Sequence, residues 1–198
     1  MAHLSISLLG ALRISRDGEL LTNFADKAQA LLAYLAVESD QPHRRDTLAG
    51  LLWPDQPQKR ARQSLRQALS DLRKAIGDCG EAPFLLVSGE TIQFNPDCDH
   101  WLDVTAFADL AKACEAHRHR RLETCLPCTR RMERMAELYR DPFLEQFFLP
   151  DADSFEEWAM LKREWLQREA TDALALLADY CERRGEYKQA QQVAQRQV

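Results

Sequence analysis

Two prolines three residues apart, Pro54 and Pro57, constrain the first half of the chain more than any other feature. A helix interior tolerates neither of them, because proline has no N–H to donate and its ring clashes with the preceding turn. Helical patterns lie on both sides of this break, at residues 44–52 and 57–76. We therefore predict two helices joined by a five-residue turn at 53–57, with Pro57 at an early position of the second helix.

The second of these helices, 57–76, is amphipathic and basic. Its apolar residues recur at steps of three and four, as on one face of a helix. They are Ala61, Leu65, Ala68, Leu69, Leu72 and Ile76. The opposite face is rich in Arg, Lys and Gln, the side chains that contact phosphates and major-groove base edges. This pattern suits a recognition helix, although in isolation it also suits an ordinary solvated surface helix.

Positive charge is concentrated around this helix in a chain that is acidic overall. The formal net charge of the chain is −5, whereas residues 44–76 contain eight Lys and Arg but three Asp. One basic surface on an acidic body is typical of a protein that binds a polyanion locally.

The flanking segments place the basic helix in a known arrangement. Apolar residues alternate from Leu4 to Leu8, and Asp17-Gly18 is a tight-turn signal, so a small antiparallel sheet is predicted at the N-terminus. Residues 27–37 are rich in Ala and Leu and predict a helix, and residues 84–94 predict a hairpin that turns at 88–90. Sheet, three helices and hairpin, in that order, are the elements of a winged helix-turn-helix.

A polar segment at 95–99 precedes a second half that reads as helical. We predict helices beginning at Asp103 as N-cap, near 124–140, over 154–183 and after Gly185. A helix followed by Gly-x-Tyr-x-x-Ala resembles a tetratricopeptide hairpin. The predicted fold class is therefore an α+β winged helix-turn-helix domain, residues 1–97, and then an all-α tetratricopeptide-like domain, residues 98–198. Because such units stack on neighbours, we expect the second domain to be truncated at its C-terminus.

The bulky aromatic residues are interpreted as core. Trp53, between an apolar helix face and the proline turn, is expected to fill the core, and Phe155, Trp158 and Trp165 are interpreted in the same way. Four further aromatics are expected to pack the helical layers together. They are Tyr139, Phe143, Phe147 and Phe148.

Several classes of protein are disfavoured. The N-terminus has no secretory signal pattern, and no apolar run is long enough to span a membrane, so a cytoplasmic location without membrane contact is expected. The six cysteines are scattered, as reduced cytosolic thiols usually are. No histidine accompanies a recognisable nucleophile motif, and no phosphate-binding loop is present, so neither an enzyme nor a cofactor is predicted.

One metal alternative stays open. His117, His119, Cys125 and Cys128 together could supply four zinc ligands. The His-x-His spacing is unusual for zinc, Pro127 lies inside the Cys-x-x-Cys pair, and arginines crowd the neighbourhood. A loop with thiols is therefore favoured, and no metal ligand is assigned.

Several segments resemble a known family in combination. They are Arg45-Asp-Thr-Leu-Ala-Gly-Leu-Leu-Trp-Pro-Asp, Ala61-Arg-Gln-Ser-Leu-Arg-Gln-Ala-Leu-Ser-Asp-Leu-Arg-Lys, Leu102-Asp-Val-Thr-Ala-Phe, Leu138-Tyr-Arg-Asp-Pro-Phe-Leu and Phe155-Glu-Glu-Trp. The chain is similar to transcriptional activators of the Streptomyces antibiotic regulatory protein (SARP) type. The resemblance implies an OmpR-like winged helix followed by a bacterial transcriptional activator domain (BTAD). It also implies contact with RNA polymerase and binding to direct repeats in DNA, where two copies of the chain could bind as a homodimer.

The expected function is that of a sequence-specific activator fragment that binds double-stranded DNA, with helix 57–76 in the major groove. In a helix-turn-helix the second helix reads bases while the first crosses the backbone. Lys59, Arg60 and Arg62 are predicted to touch phosphate or guanine, and Gln63, Arg66 and Gln67 to read bases. The remaining candidates are Arg44 and Arg45, for phosphates, and Lys74 at the far end. The alternative is a protein-interaction module whose winged helix docks a protein instead of DNA.

Overall fold

The computed structural model describes residues 3–22, 24–78, 83–118 and 125–195. Its first half contains β1 (Leu4–Ser7), β2 (Arg13–Arg16), β3 (Glu19–Leu20), α1 (Asp26–Val37), β4 (His43–Arg44), α2 (Arg45–Leu52), α3 (Gln58–Ala75), β5 (Leu85–Val87) and β6 (Thr91–Phe94). Its second half contains β7 (His100–Leu102), α4 (Asp103–Glu115), α5 (Leu126–Leu138), α6 (Asp153–Arg183) and α7 (Tyr187–Gln195).

The predicted N-terminal sheet forms, and one strand of it comes from beyond residue 97. β1, β2 and β3 are antiparallel neighbours, and the β2–β3 turn places Asp17 at φ 52° and Gly18 at φ 86°. Asp and Gly tolerate this left-handed conformation best, which explains the Asp-Gly pair. β7 then pairs in parallel with β1, in the register Ile6 with Leu102. The two predicted domains therefore share a sheet, and the division after residue 97 stays a prediction.

The three helices and the wing also form as predicted. α2, a turn through Pro54 and Pro57, and α3 make the helix-turn-helix, and β5 and β6 make the wing hairpin. β4, whose two residues are too few to carry a sequence pattern, adds a third strand beside β6. Trp53 is buried beneath the turn, which confirms its core role.

The predicted N-cap role of Asp103 is wrong. Leu102 occupies the cap position, and Asp103 is the first residue of α4. Its buried carboxylate accepts N–H bonds from Leu8, at 2.8 and 2.9 Å, and from Leu9, at 2.9 Å. These buried backbone donors at the end of β1 need an acceptor, so Asp103 ties α4 to the N-terminal sheet.

The helical half packs around α6. α5 and α7 both contact α6, and α4 contacts α5. Phe155 is fully buried, whereas Trp158 and Trp165 are half-buried against the core. The predicted packing role of Phe148 is wrong, because its side chain is 65% exposed. The chain turns sharply there, with φ of 52° at Leu144 and 62° at Gln146, and directs its neighbours inward instead.

Among the described residues, no helix combines the length and the apolar character needed to cross a membrane.

Candidate nucleic-acid interface

α3 separates its core face from its polar face as predicted. The buried residues of α3 are Ala61, Leu65, Ala68, Leu69 and Leu72, and Ile76 is buried at its C-terminal cap. The side chains on the other faces are exposed. They are Lys59, Arg60, Arg62, Gln63, Arg66, Gln67, Arg73 and Lys74. Burial of one face holds the helix rigidly while the opposite face remains available to a ligand.

A cleft of about 1020 Å³ lies between α3 and the wing. Its cationic lining residues are Arg44, Arg45, Arg62, Arg66, Arg73 and Lys74, and its acidic ones are Asp46, Asp78 and Glu90. The cleft therefore carries an excess of positive charge. A basic cleft of this kind raises the local concentration of polyanions.

Arg62 is paired within the protein. Its guanidinium binds the Asp46 carboxylate of α2 in a bidentate manner, at 2.5 and 2.6 Å. The hydrogen bond from Arg62 lowers the pKa of Asp46, and the same bond raises the pKa of Arg62. Both groups are exposed, so the pair is open to exchange with a phosphate.

Arg45 is hydrogen-bonded to the wing. Its guanidinium donates two hydrogen bonds to the carbonyl oxygen of Ser88, at 2.9 and 3.3 Å, and its backbone N–H donates to the carbonyl of Glu90 at 2.9 Å. Arg45 thus fixes the position of the wing relative to α2. A phosphate bound by Arg45, as predicted, would compete with the Ser88 carbonyl for the N–H groups of the guanidinium.

The remaining candidates differ in how they are held. Gln67 donates to Asp71, one turn further along α3, at 3.0 and 3.1 Å. In the part of the chain that the structure describes, no hydrogen bond or ion pair engages the side chains of Lys59, Arg60, Gln63, Arg66 or Lys74. Arg44 is exposed and near enough to Asp46 to lower its pKa.

Asp78 is a structural residue that sequence reasoning missed. Its carboxylate is fully buried and binds Arg73 Nε at 2.8 Å. It also accepts the backbone N–H groups of Phe84, at 2.6 Å, and Leu85, at 3.4 Å. Asp78 therefore connects the end of α3 to the wing, and its position beyond a helix end gave no recognisable signal.

A second group with ligand chemistry lies in the helical half. His117, Cys125 and Cys128 each place one potential metal-binding atom within 4.8 Å of the others. Burial and the neighbouring thiols, Cys125 among them, raise the pKa of Cys128 to about 11. His119, the fourth residue of the sequence-based zinc alternative, lies outside the described residues.

The sequence comparison and the structure comparison agree with each other. No family model matches the chain. The transcriptional regulatory protein EmbR of Mycobacterium bovis, and that of Mycobacterium tuberculosis, are 33% identical over 86 residues, which are 43% of this chain and 22% of EmbR. A solved structure of M. tuberculosis EmbR in complex with a low-affinity phosphopeptide matches with a TM-score of 0.69 and 25% identity. That match covers 91% of this chain and 48% of the EmbR chain.

The chain thus spans about half of the solved EmbR structure. The match includes most of both the winged-helix half and the helical half. Both comparisons support the resemblance: the chain is similar in sequence and in structure to EmbR, a transcriptional regulatory protein, and its fold is a winged helix followed by a helical half.

Proposed function

We propose that this chain binds double-stranded DNA in a sequence-specific manner, with α3 in the major groove, and that it activates transcription. One observation carries the proposal. α3 buries one face in the core and presents Lys59, Arg60, Gln63 and Arg66 on the others, with no intramolecular partner among the described residues. Unpartnered cations and amides on a rigid helix are what recognition of phosphates and base edges needs.

The roles follow from position on the helix. In the first turns, Lys59 and Arg60 contact phosphate or guanine, and Arg62 joins them when it leaves Asp46. One or two turns further on, Gln63, Arg66 and Gln67 read base edges. Arg44, Arg45 and Lys74 contact phosphates at the rim of the cleft. Glu90 at the wing tip repels phosphate, so the wing contributes less than α3.

The helical half is the protein-facing part in this proposal. Resemblance to the SARP type supports contact with RNA polymerase and tandem binding of two copies to direct repeats. The function is binding without catalysis. A regulator of this kind works in the cytoplasm, beside the bacterial chromosome.

The first experiment is selection of bound sites from random double-stranded DNA, followed by titration of a selected site at several salt concentrations. Each phosphate contact contributes about −0.9 to the slope of log affinity against log salt. We expect an enriched sequence and a steep negative slope. The absence of DNA binding, or a flat salt response, would favour the alternative that the winged helix docks a protein.

The second arm tests the helix face. Arg66→Ala should weaken binding to the selected site by about 1–3 kcal/mol and relax the preference at one base position. Arg168→Ala is the matched control, because it removes an exposed arginine from α6. If Arg66→Ala keeps the affinity and the base preference of the wild type, as the control is expected to do, the assignment of Arg66 is contradicted. Circular dichroism of each variant verifies that the fold is retained.

A further inference from the structure

Two helix ends meet in the helical half, and both carry residues that bind soft or borderline metals. Cys114 lies in the last turn of α4 and His117 just beyond it, while Cys125 caps α5 and Cys128 lies in its first turn. The spacing is Cys-x2-His followed by Cys-x2-Cys. We propose that Cys114, His117, Cys125 and Cys128 form a structural zinc site that joins α4 to α5.

The distances within the cluster suit tetrahedral coordination. Zinc binds Cys sulfur at about 2.3 Å and His nitrogen at about 2.0–2.1 Å, so a nitrogen and a sulfur on one zinc ion lie about 3.5 Å apart. His117 Nδ1 lies 3.2 Å from Cys128 Sγ and 3.4 Å from Cys125 Sγ. Three ligand atoms are therefore already gathered at nearly the required separations.

Cys114 supplies the fourth ligand. Its side chain is buried, and its thiol donates to the carbonyl oxygen of Cys128 over 3.9 Å while also interacting with the Cys128 thiol. Its sulfur lies outside the three ligand atoms that are gathered within 4.8 Å of one another, so to bind the metal the Cys114 side chain moves toward them and gives up this long hydrogen bond. Four protein ligands close the coordination sphere, which is typical of a structural and not a catalytic zinc site.

Two groups near the cluster stabilise metal-bound thiolates, although the burial of Cys128 opposes the loss of its proton. Three cysteines bind as thiolates after releasing one proton each, so the loaded site carries a net charge of −1. Arg131 Nη1 lies 3.7 Å from Cys128 Sγ and partly balances that charge. Cys125 and Cys128 also lie at the positive N-terminal end of α5. Thiolate and imidazole ligands select zinc over magnesium or calcium.

The first test is the metal content of the 198-residue chain, purified under reducing conditions without chelator. We expect elemental mass spectrometry to find about one zinc ion per chain. Cys114→Ala and Cys128→Ala should reduce this content to near zero after dialysis. Cys98→Ala and Cys181→Ala are matched controls, because both remove a buried cysteine outside the cluster and should keep the metal.

A second measurement does not depend on folding of the variants. The wild-type chain is stripped of metal, reduced and titrated with Co²⁺ alone. Tetrahedral thiolate coordination should give strong visible absorption that added Zn²⁺ abolishes, and Zn²⁺ should raise the melting temperature. The proposal is overturned if the wild-type chain holds no zinc and shows neither response, or if Cys125 and Cys128 form a disulfide instead. Undiminished zinc content in Cys114→Ala would overturn the assignment of the fourth ligand.

Discussion

Arg62 and Asp46 form an exposed ion pair in the lining of the basic cleft between α3 and the wing. Their bidentate bonds join α3 to α2, yet the side chains remain 55% and 38% exposed. An exposed ion pair contributes little to stability, because water solvates both charges well. A phosphate can therefore compete with Asp46 for the guanidinium at small cost.

Asp46→Asn should consequently strengthen DNA binding. The substitution removes a carboxylate from the cleft and frees Arg62 for a phosphate, which should steepen the salt slope by about 0.9. Titration of a selected site at several salt concentrations measures both effects. Asp55→Asn, at an exposed position in the helix-turn-helix connection, is the control for a general change of charge. If both variants change affinity and slope equally, release of Arg62 is not the cause.

For individual residues, the sequence could predict which side chains are exposed. It could not predict which of them are hydrogen-bonded to other parts of the chain. The 100° period of α3 separates Arg66 from Leu65, and the structure agrees. The partners of Arg62 and Arg45 lie 16 and 43 residues away, at Asp46 and Ser88. Contacts at such separations depend on how elements pack, and no local pattern reports them.

At the scale of elements, helices were predictable and short strands were not. α3 contains five turns of consistent apolar periodicity, whereas β4 and β7 contain two and three residues. β7 also pairs with β1 across more than 90 residues, so its position depends on tertiary packing. The same limit applies to Asp78, which connects α3 to β5 through its buried carboxylate.

Asp78→Asn should loosen the connection between α3 and the wing. An amide has one acceptor oxygen where the carboxylate has two, so either the buried Phe84 N–H or the Arg73 Nε–H loses its acceptor. We expect a loss of about 1–3 kcal/mol in the free energy of unfolding, measured with urea. Asp71→Asn, on the half-exposed side of α3, should change it by less than about 0.5 kcal/mol. Similar losses for both would argue against a special role for Asp78.

At the scale of the whole molecule, α6 packs against the winged-helix half as well as the other helices. Trp158 Nε1 donates to Glu38 Oε1, at the end of α1, over 2.8 Å. Lys162 Nζ lies 2.8 Å from the same oxygen. Tyr34 and Phe143 meet the Trp158 ring edge-on, at centroid distances of 5.0 and 5.7 Å. One carboxylate thus links a helix of the winged-helix half to the long helix of the other half.

This link makes part of the stability dependent on pH. Burial by itself raises the pKa of Glu38, but the hydrogen bonds from Lys162 and Trp158 outweigh it and leave the pKa below its ordinary value of 4.5. A carboxyl group whose pKa is lower in the folded state stabilises the fold above the pKa of the unfolded chain. That contribution disappears as the pH falls below about 4.5 and through the lowered folded-state pKa.

Glu38→Gln should therefore destabilise the chain at neutral pH and have little effect in acid. Gln keeps an acceptor for Trp158 but loses the charge that attracts Lys162, so we expect a loss of about 1 kcal/mol at pH 7. Urea unfolding of both proteins between pH 7 and pH 3 should show this difference shrinking below about pH 4.5. Glu164→Gln, an exposed position on α6, is the control and should show no such trend. A difference between wild type and Glu38→Gln that stays constant down to pH 3 would mean that the charge of Glu38 does not hold α6 to α1.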